Sequence, residues 1–73
     1  MPIALAPLNT KLKIVKIIAN EELKKHLESL GITLNGTLSI LSSSGGTVIC
    51  LIKEGRVALD RELSTKIFVT EII

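Results

Sequence analysis

Few side chains in these 73 residues carry reactive or ligating groups, and their spacing limits the chemistry open to them. The one histidine, His26, follows Glu22 by four positions, which on a helix sets an imidazole beside a carboxylate. A transition metal held by His and carboxylate needs them in convergent sets, such as two His and one carboxylate. One of each is too few, so His26 reads as a surface histidine and no metal ligand is assigned. The one cysteine, Cys50, stands between Ile49 and Leu51. It excludes an intramolecular disulfide and fits no zinc spacing. No histidine is placed to activate it as a nucleophile, so it reads as a small core hydrophobe. Residues 42–46, SSSGG, have a glycine-rich look, but a phosphate-binding loop needs a Lys-Ser/Thr pair opening a helix. A flexible hairpin loop is the expected role. With no nucleophile–base pair and no acid–base couple, the residues assign no catalytic group and no cofactor.

The elements that hold these side chains are well punctuated. Residues 11–18, KLKIVKII, are β-branched and half alternating, as a first strand should be. Asn20 is placed to cap a helix, with Glu21 and Glu22 in its first turn where carboxylates complement the dipole. Leu23, Leu27 and Leu30 share one face, and Lys24, Lys25 and Glu28 fall on the solvated side. Gly31 sits where a left-handed residue ends a helix, with Ile32 folding back on the last turn. After an Asn35-Gly36 turn, residues 37–41 alternate with Leu38 and Ile40 on one face. Residues 47–53 are apolar on both faces, which predicts a strand covered twice. A Glu54-Gly55 turn leads to a strand over 56–59, Asp60 caps a short helical turn over 61–66, and residues 67–73 form a last strand. The whole of 1–73 is one domain without repeat or linker. Five short strands with a helix after the first predict a mainly β, partly open small barrel.

Composition narrows the function classes. Phe68 is the only aromatic among 47% hydrophobic residues, so the core is aliphatic. The longest apolar run, residues 48–52, falls far short of the ~20 residues that span a bilayer. The first ten residues hold neither a basic n-region nor an h-region, so no signal peptide is expected and the cytoplasm is the expected location. A net charge of +2 does not by itself imply nucleic acid. Lys11, Lys13 and Lys16 form a basic strip, but RNA-binding barrels interleave such residues with stacking aromatics. A solvated strand edge, where lysine discourages edge pairing, is the simpler reading.

Taken in order, "HLESLGIT-NGTLSIL", the small-residue loop and "GRVALDRELSTKIFV" resemble the FeoA family, ferrous iron transport protein A. Leu30, Gly31, Gly36, Arg56, Ala58, Leu59, Ile67 and Val69 stand on the family's positions, and the resemblance runs from Leu8 to Ile72. It implies an SH3-like barrel with a helix after the first strand and a helical turn before the last. Such a barrel is similar to the C-terminal domain of metal-dependent repressors, here without a helix-turn-helix. It further implies a non-enzymatic cytoplasmic accessory protein of FeoB, the GTP-binding ferrous iron permease, and a link to transition-metal ions through that partner. Contact with the membrane would be indirect, and nucleic acid is not an expected partner. A different class, a nucleic-acid-binding barrel of the Sm or KOW kind, is the alternative. Three departures stand out: Leu34-Asn35-Gly36 replaces a shorter Pro-Gly turn, Thr47 replaces a proline, and Asn9-Thr10 replaces a glycine-led turn.

Docking residues are expected at two places. At the helix corner they are Leu27, Glu28, Ser29, Leu30 and Gly31. On the third strand, a family-like phase turns Val48, Cys50 and Ile52 inward, and Ile49 and Leu51 outward. The N-terminal IALAPL stretch and the helix are expected to cover Ile49 and Leu51; left bare, the pair adds to a partner patch. Open strand edges and spare apolar surface also permit homo-oligomers.

Overall fold

The computed structural model describes residues 1–53 and 55–72, so Glu54 of the expected Glu54-Gly55 turn and Ile73 of the last strand lie outside the described residues. A single 3-10 turn, Ile3–Leu5, precedes β1 (Leu12–Ile17), α1 (Glu21–Ser29), β2 (Thr37–Ser44) and β3 (Thr47–Ile52). The chain continues through β4 (Gly55–Leu59), α2 (Arg61–Ser64) and β5 (Ile67–Glu71). The strands form one antiparallel sheet in the order β4-β3-β2-β1-β5. This is the five-stranded arrangement with an inserted helix that the residue pattern predicts.

β2 makes the sheet fold on itself. Its first residues pair with β1 (Leu12 opposite Leu38, Lys13 opposite Thr37), and the rest pairs with β3 (Ser39 opposite Leu51 through Ser44 opposite Thr47). One long strand is thus shared between two arms, and the aliphatic face lies between them. Leu12, Ile14, Ile40, Val48, Cys50, Leu59, Ile67 and Val69 are buried there, joined by Leu27 and Ile32 from the helix corner. Each fully buried aliphatic contributes roughly 1.5–3 kcal/mol of transfer free energy, which a chain of this size needs in number.

Two strands carry register shifts. β1 slips between Ile14 and Lys16 against β5, and β2 slips between Ile40 and Ser42 against β3. These bulges leave Val15 and Leu41 as the extra residues. They explain why residues 11–18 only half alternate: inward Leu12 and Ile14 are followed by two outward residues, Val15 and Lys16.

Three expectations need correction. Residues 42–46 are not one flexible loop: Ser42, Ser43 and Ser44 are ladder residues opposite Ile49, Val48 and Thr47. Only Gly45 and Gly46 turn, with φ of 59° and 89°, the two successive positive values that a type I′ hairpin requires. The hairpin tip is held from α2, where Arg61 Nε donates to the Gly45 carbonyl at 3.1 Å and the buried Ser64 hydroxyl donates to the Gly46 carbonyl at 2.6 Å. Second, β3 is covered on one face only, alternating exposed and buried from Thr47 to Ile52. Third, the N-terminal stretch that was to cover Ile49 and Leu51 lies on the inner side. Ile3 is fully buried among the core residues, Pro2 bridges Phe68, and the Val69 N–H donates to the Met1 carbonyl at 2.8 Å. The segment closes one end of the barrel and occupies the outer edge of β5.

Two of the three departures from the expected pattern, at Asn9 and at Asn35-Gly36, have local causes. Asn9 and Asn35 are the non-glycine residues with positive φ, 55° and 67°, a conformation asparagine tolerates better than most side chains. Asn35 occupies the third position of a turn closed by the Gly36 N–H donating to the Thr33 carbonyl at 3.0 Å. Gly36 itself is required for space: a Cβ there would lie 2.9 Å from Thr33 Oγ1 and 3.0 Å from the Thr33 carbonyl oxygen. Gly36→Ala is therefore expected to destabilise the fold by about 1–3 kcal/mol through overpacking. Adding Thr33→Ala should recover part of that loss, and denaturant midpoints of the single and double variants check both.

Candidate docking surfaces

The helix corner is built from short-range signals. The Asn20 side chain accepts from the Leu23 N–H at 2.8 Å and caps α1. At the other end Gly31 has φ 90°, the Ile32 N–H donates to the Leu27 carbonyl at 2.9 Å, and the Gly31 N–H donates to the Glu28 carbonyl at 2.9 Å. Those two bonds are the paired closure of a Schellman motif. They fix the angle at which the chain leaves the helix, so Leu27 and Ile32 both drop into the core at 0% exposure. Beside them a cleft of about 250 Å³ opens between the end of β1 and the corner, with Ile17 and Ile32 in its wall and Lys24 and Glu28 among its lining charges.

The expected docking set divides accordingly. Glu28 and Ser29 are exposed, and Leu30 and Gly31 are half-buried. Leu27 offers no surface and acts as the anchor of the corner. On β3, Ile49 and Leu51 are 36% and 42% exposed, while Val48 and Cys50 beneath them are fully buried. Val48 and Cys50 turn inward, Ile49 and Leu51 turn outward, and the outward pair is bare.

A second cleft, of about 330 Å³, crosses the outer face of the sheet and includes Lys11, Thr37, Ser39, Leu51 and Lys53 in its lining. The ladder explains this meeting of distant residues. Lys13 faces Thr37, and one step further Lys11 comes level with Ser39. Ser39 faces Leu51, and Leu51 faces Arg56. The row across β2, β3 and β4 therefore reads Ser39, Leu51, Arg56, and Lys11, the residue before β1, joins it when the β1–β2 register is extended by one rung. Lys53 and Arg56 escape a residue-by-residue reading, because only the strand register brings them to Lys11. Lys16 leaves the expected strip: beyond the β1 bulge its Nζ stands 5.6 Å from the centre of the Phe68 ring, a cation–π contact.

Among the described residues no reactive centre is assembled. His26 and Glu22 are both exposed on α1, and among the described residues no three His, Cys, Asp or Glu side chains converge as a metal site would need. Burial pushes the Cys50 thiol up from its ordinary 9.0 to about 11 by desolvating the thiolate. Since the folded pKa is the raised one, the contribution to stability is intact below pH 9 and is lost as pH rises from 9 to 11. The loss should reach roughly 2 kcal/mol at the upper end. Guanidinium midpoints at pH 8 and pH 11 should show it in the wild type and not in Cys50→Val. Among the described residues no helix is long and apolar enough to cross a membrane.

The family model described as the FeoA domain matches residues 1–71. The chain belongs to the FeoA family. The crystal structure of an iron uptake regulatory protein (FeoA) superposes at a TM-score of 0.87 with 23% identity, covering 99% of this chain and 97% of that one. The solution structure of a FeoA protein from Chlorobium tepidum gives 0.84 at 13% identity, covering 100% and 71%. A manganese-dependent transcriptional repressor gives 0.86 at 19% identity over 99% of this chain but only 41% of its own. A comparison with curated proteins finds no match. Identities this low carry the SH3-like fold, while the family match carries a role in ferrous iron transport. Of the residues on FeoA positions, Leu59, Ile67 and Val69 are fully buried core and Gly31 closes the helix. Their type is thus explained by folding.

Proposed function

We propose that this FeoA domain is a non-enzymatic accessory module of ferrous iron uptake that docks onto the cytoplasmic domains of a FeoB permease. The observation that supports it is the family match combined with outward apolar side chains, Ile49 and Leu51, on a domain whose described reactive groups are either buried or isolated. Such a surface binds by shape and desolvation, and a few central residues supply most of the affinity. The corner residues Glu28, Ser29, Leu30 and Gly31 form the second part of the docking surface, with Leu27 beneath them. A nucleic-acid-binding barrel has less support, since Phe68, the only aromatic, is engaged by Lys16 and half-buried.

The test is association with the purified cytoplasmic part of the permease. Glu28→Lys and Ile49→Ser alter exposed side chains and leave the core intact. Each is expected to weaken binding by roughly 5–30-fold, the range of a docking residue worth 1–2 kcal/mol. Binding by both variants at wild-type strength would overturn the proposal. Gly31 is unsuitable as a probe, because any side chain at φ 90° strains the helix end itself.

A further inference from the structure

We infer that the outer sheet face is a receptor for an extended acidic segment of a partner protein, of the pattern acidic-x-aliphatic-x-acidic. This deepens the docking reading above and rests on it for the partner being a protein.

The row Lys11, Ser39, Leu51, Arg56 places a cation at each end, a small residue and an exposed aliphatic between them. A neighbouring row adds Lys13 beside Thr37, with Lys53 lining the same cleft. Among the described residues no carboxylate stands in either row; Glu71 belongs to the other phase of β5, opposite Leu12. The remaining described acids lie elsewhere, Glu21, Glu22 and Glu28 on α1 and Asp60 and Glu62 at α2. A domain of net charge +2 therefore gathers Lys11, Lys13, Lys53 and Arg56 on one side of the sheet. Clustered like charges cost free energy that an anionic partner recovers.

The dimensions select the partner's form. Three strand-to-strand steps of about 4.8 Å separate Lys11 from Arg56, about 14 Å in all. An extended peptide crossing the strands places side chains i, i+2 and i+4 on one side, and i to i+4 spans about 13 Å. Carboxylates at i and i+4 then meet the two cations, and an aliphatic at i+2 rests on Leu51 over the small Ser39. Leu38 and Ile52, 4% and 8% exposed, also line the cleft. Leu51 is the one exposed aliphatic in the row, which argues for a peptide over a lipid surface, because membrane insertion requires several protruding apolar side chains. The absence of aromatic residues from the cleft lining argues for it over single-stranded nucleic acid.

The experiment titrates the full chain, labelled for NMR, with a short synthetic peptide containing Glu-Thr-Leu-Thr-Glu. The same peptide with Lys for Glu, phosphatidylglycerol vesicles and polyuridylate are run alongside. The expected result is saturable shifts at Ser39, Leu51 and Arg56 with the acidic peptide, weakening as salt rises. Lys11→Glu/Arg56→Glu should lower its affinity about tenfold, two exposed charge contacts together, with the spectrum otherwise that of the folded domain. Equal binding of the Lys peptide, shifts confined to other faces, or tighter binding to vesicles or polyuridylate would each overturn the inference. Were the acidic peptide to fail while the permease domain still bound and Glu28→Lys still weakened it, the inference would fall and the docking function would stand.

Discussion

Leu27→Ala is expected to cost the domain about 3–4 kcal/mol, within the range for truncating a leucine that has no room to collapse. Leu27 is fully buried, lies in the last turn of α1, and gives its carbonyl to the Ile32 N–H that closes the helix. It is the helix's one fully buried side chain, so truncation both leaves a cavity and loosens the element that carries the corner. A domain of this length has roughly 4–11 kcal/mol in total, and the melting temperature should fall by roughly 12–32 °C. Leu30→Ala, at a half-buried position one turn on, should cost about half as much or less. The comparison matters for function: reduced partner binding by Leu27→Ala will scale with its unfolded fraction, whereas Glu28→Lys should reduce binding at unchanged thermal stability. Thermal scans run beside the binding assay separate the two.

Ile3→Ala is the second large effect, expected at about 2–4 kcal/mol. Ile3 is fully buried against the core although it belongs to a single 3-10 turn. Two residues away Leu5 is 76% exposed, and Leu5→Ala should stay within about 0.5 kcal/mol of wild type. The same truncation should undo the contacts around Ile3, where Pro2 bridges Phe68 and the Val69 N–H reaches the Met1 carbonyl. Amide exchange at Val69 should then quicken by more than at Ile14, whose N–H donates to the Gly36 carbonyl. Equal protection of Val69 in both proteins would mean that the segment holds itself in place without Ile3.

These residues also mark what a reading of the chain can and cannot reach. Asn20, Gly31 and Asp60 were legible because capping is local: each side chain or φ serves a backbone group within a few residues. The apolar parity of Leu38 with Ile40, and of Val48 with Cys50, was equally visible. Coverage was not, because it depends on where a remote segment lands. The N-terminal stretch has no periodicity, so nothing in it says that Ile3 turns inward and leaves Ile49 and Leu51 bare. Ser42, Ser43 and Ser44 read as loop by composition, yet their backbones find partners in Ile49, Val48 and Thr47. The candidate site is the extreme case: Lys11 and Arg56 are far apart in sequence and share a row only through three successive strand registers. The Asn35 turn lies between, since an Asn-Gly pair signals a turn, but which of the two takes the left-handed position depends on the crowding against Thr33.

The Pro2–Phe68 bridge has a consequence for growth of the sheet. A strand-swapped or stacked polymer propagates only if each subunit offers two unfilled borders, one to receive and one to extend. Here the β5 border is already taken by the chain's own first residues, and Pro2 has no N–H to offer beyond it. Among the described strands only β4 ends the sheet with a vacant side. Strand addition beside Phe68 and Val69 is therefore blocked by the chain itself, and β4 is the border on which a visiting strand is expected.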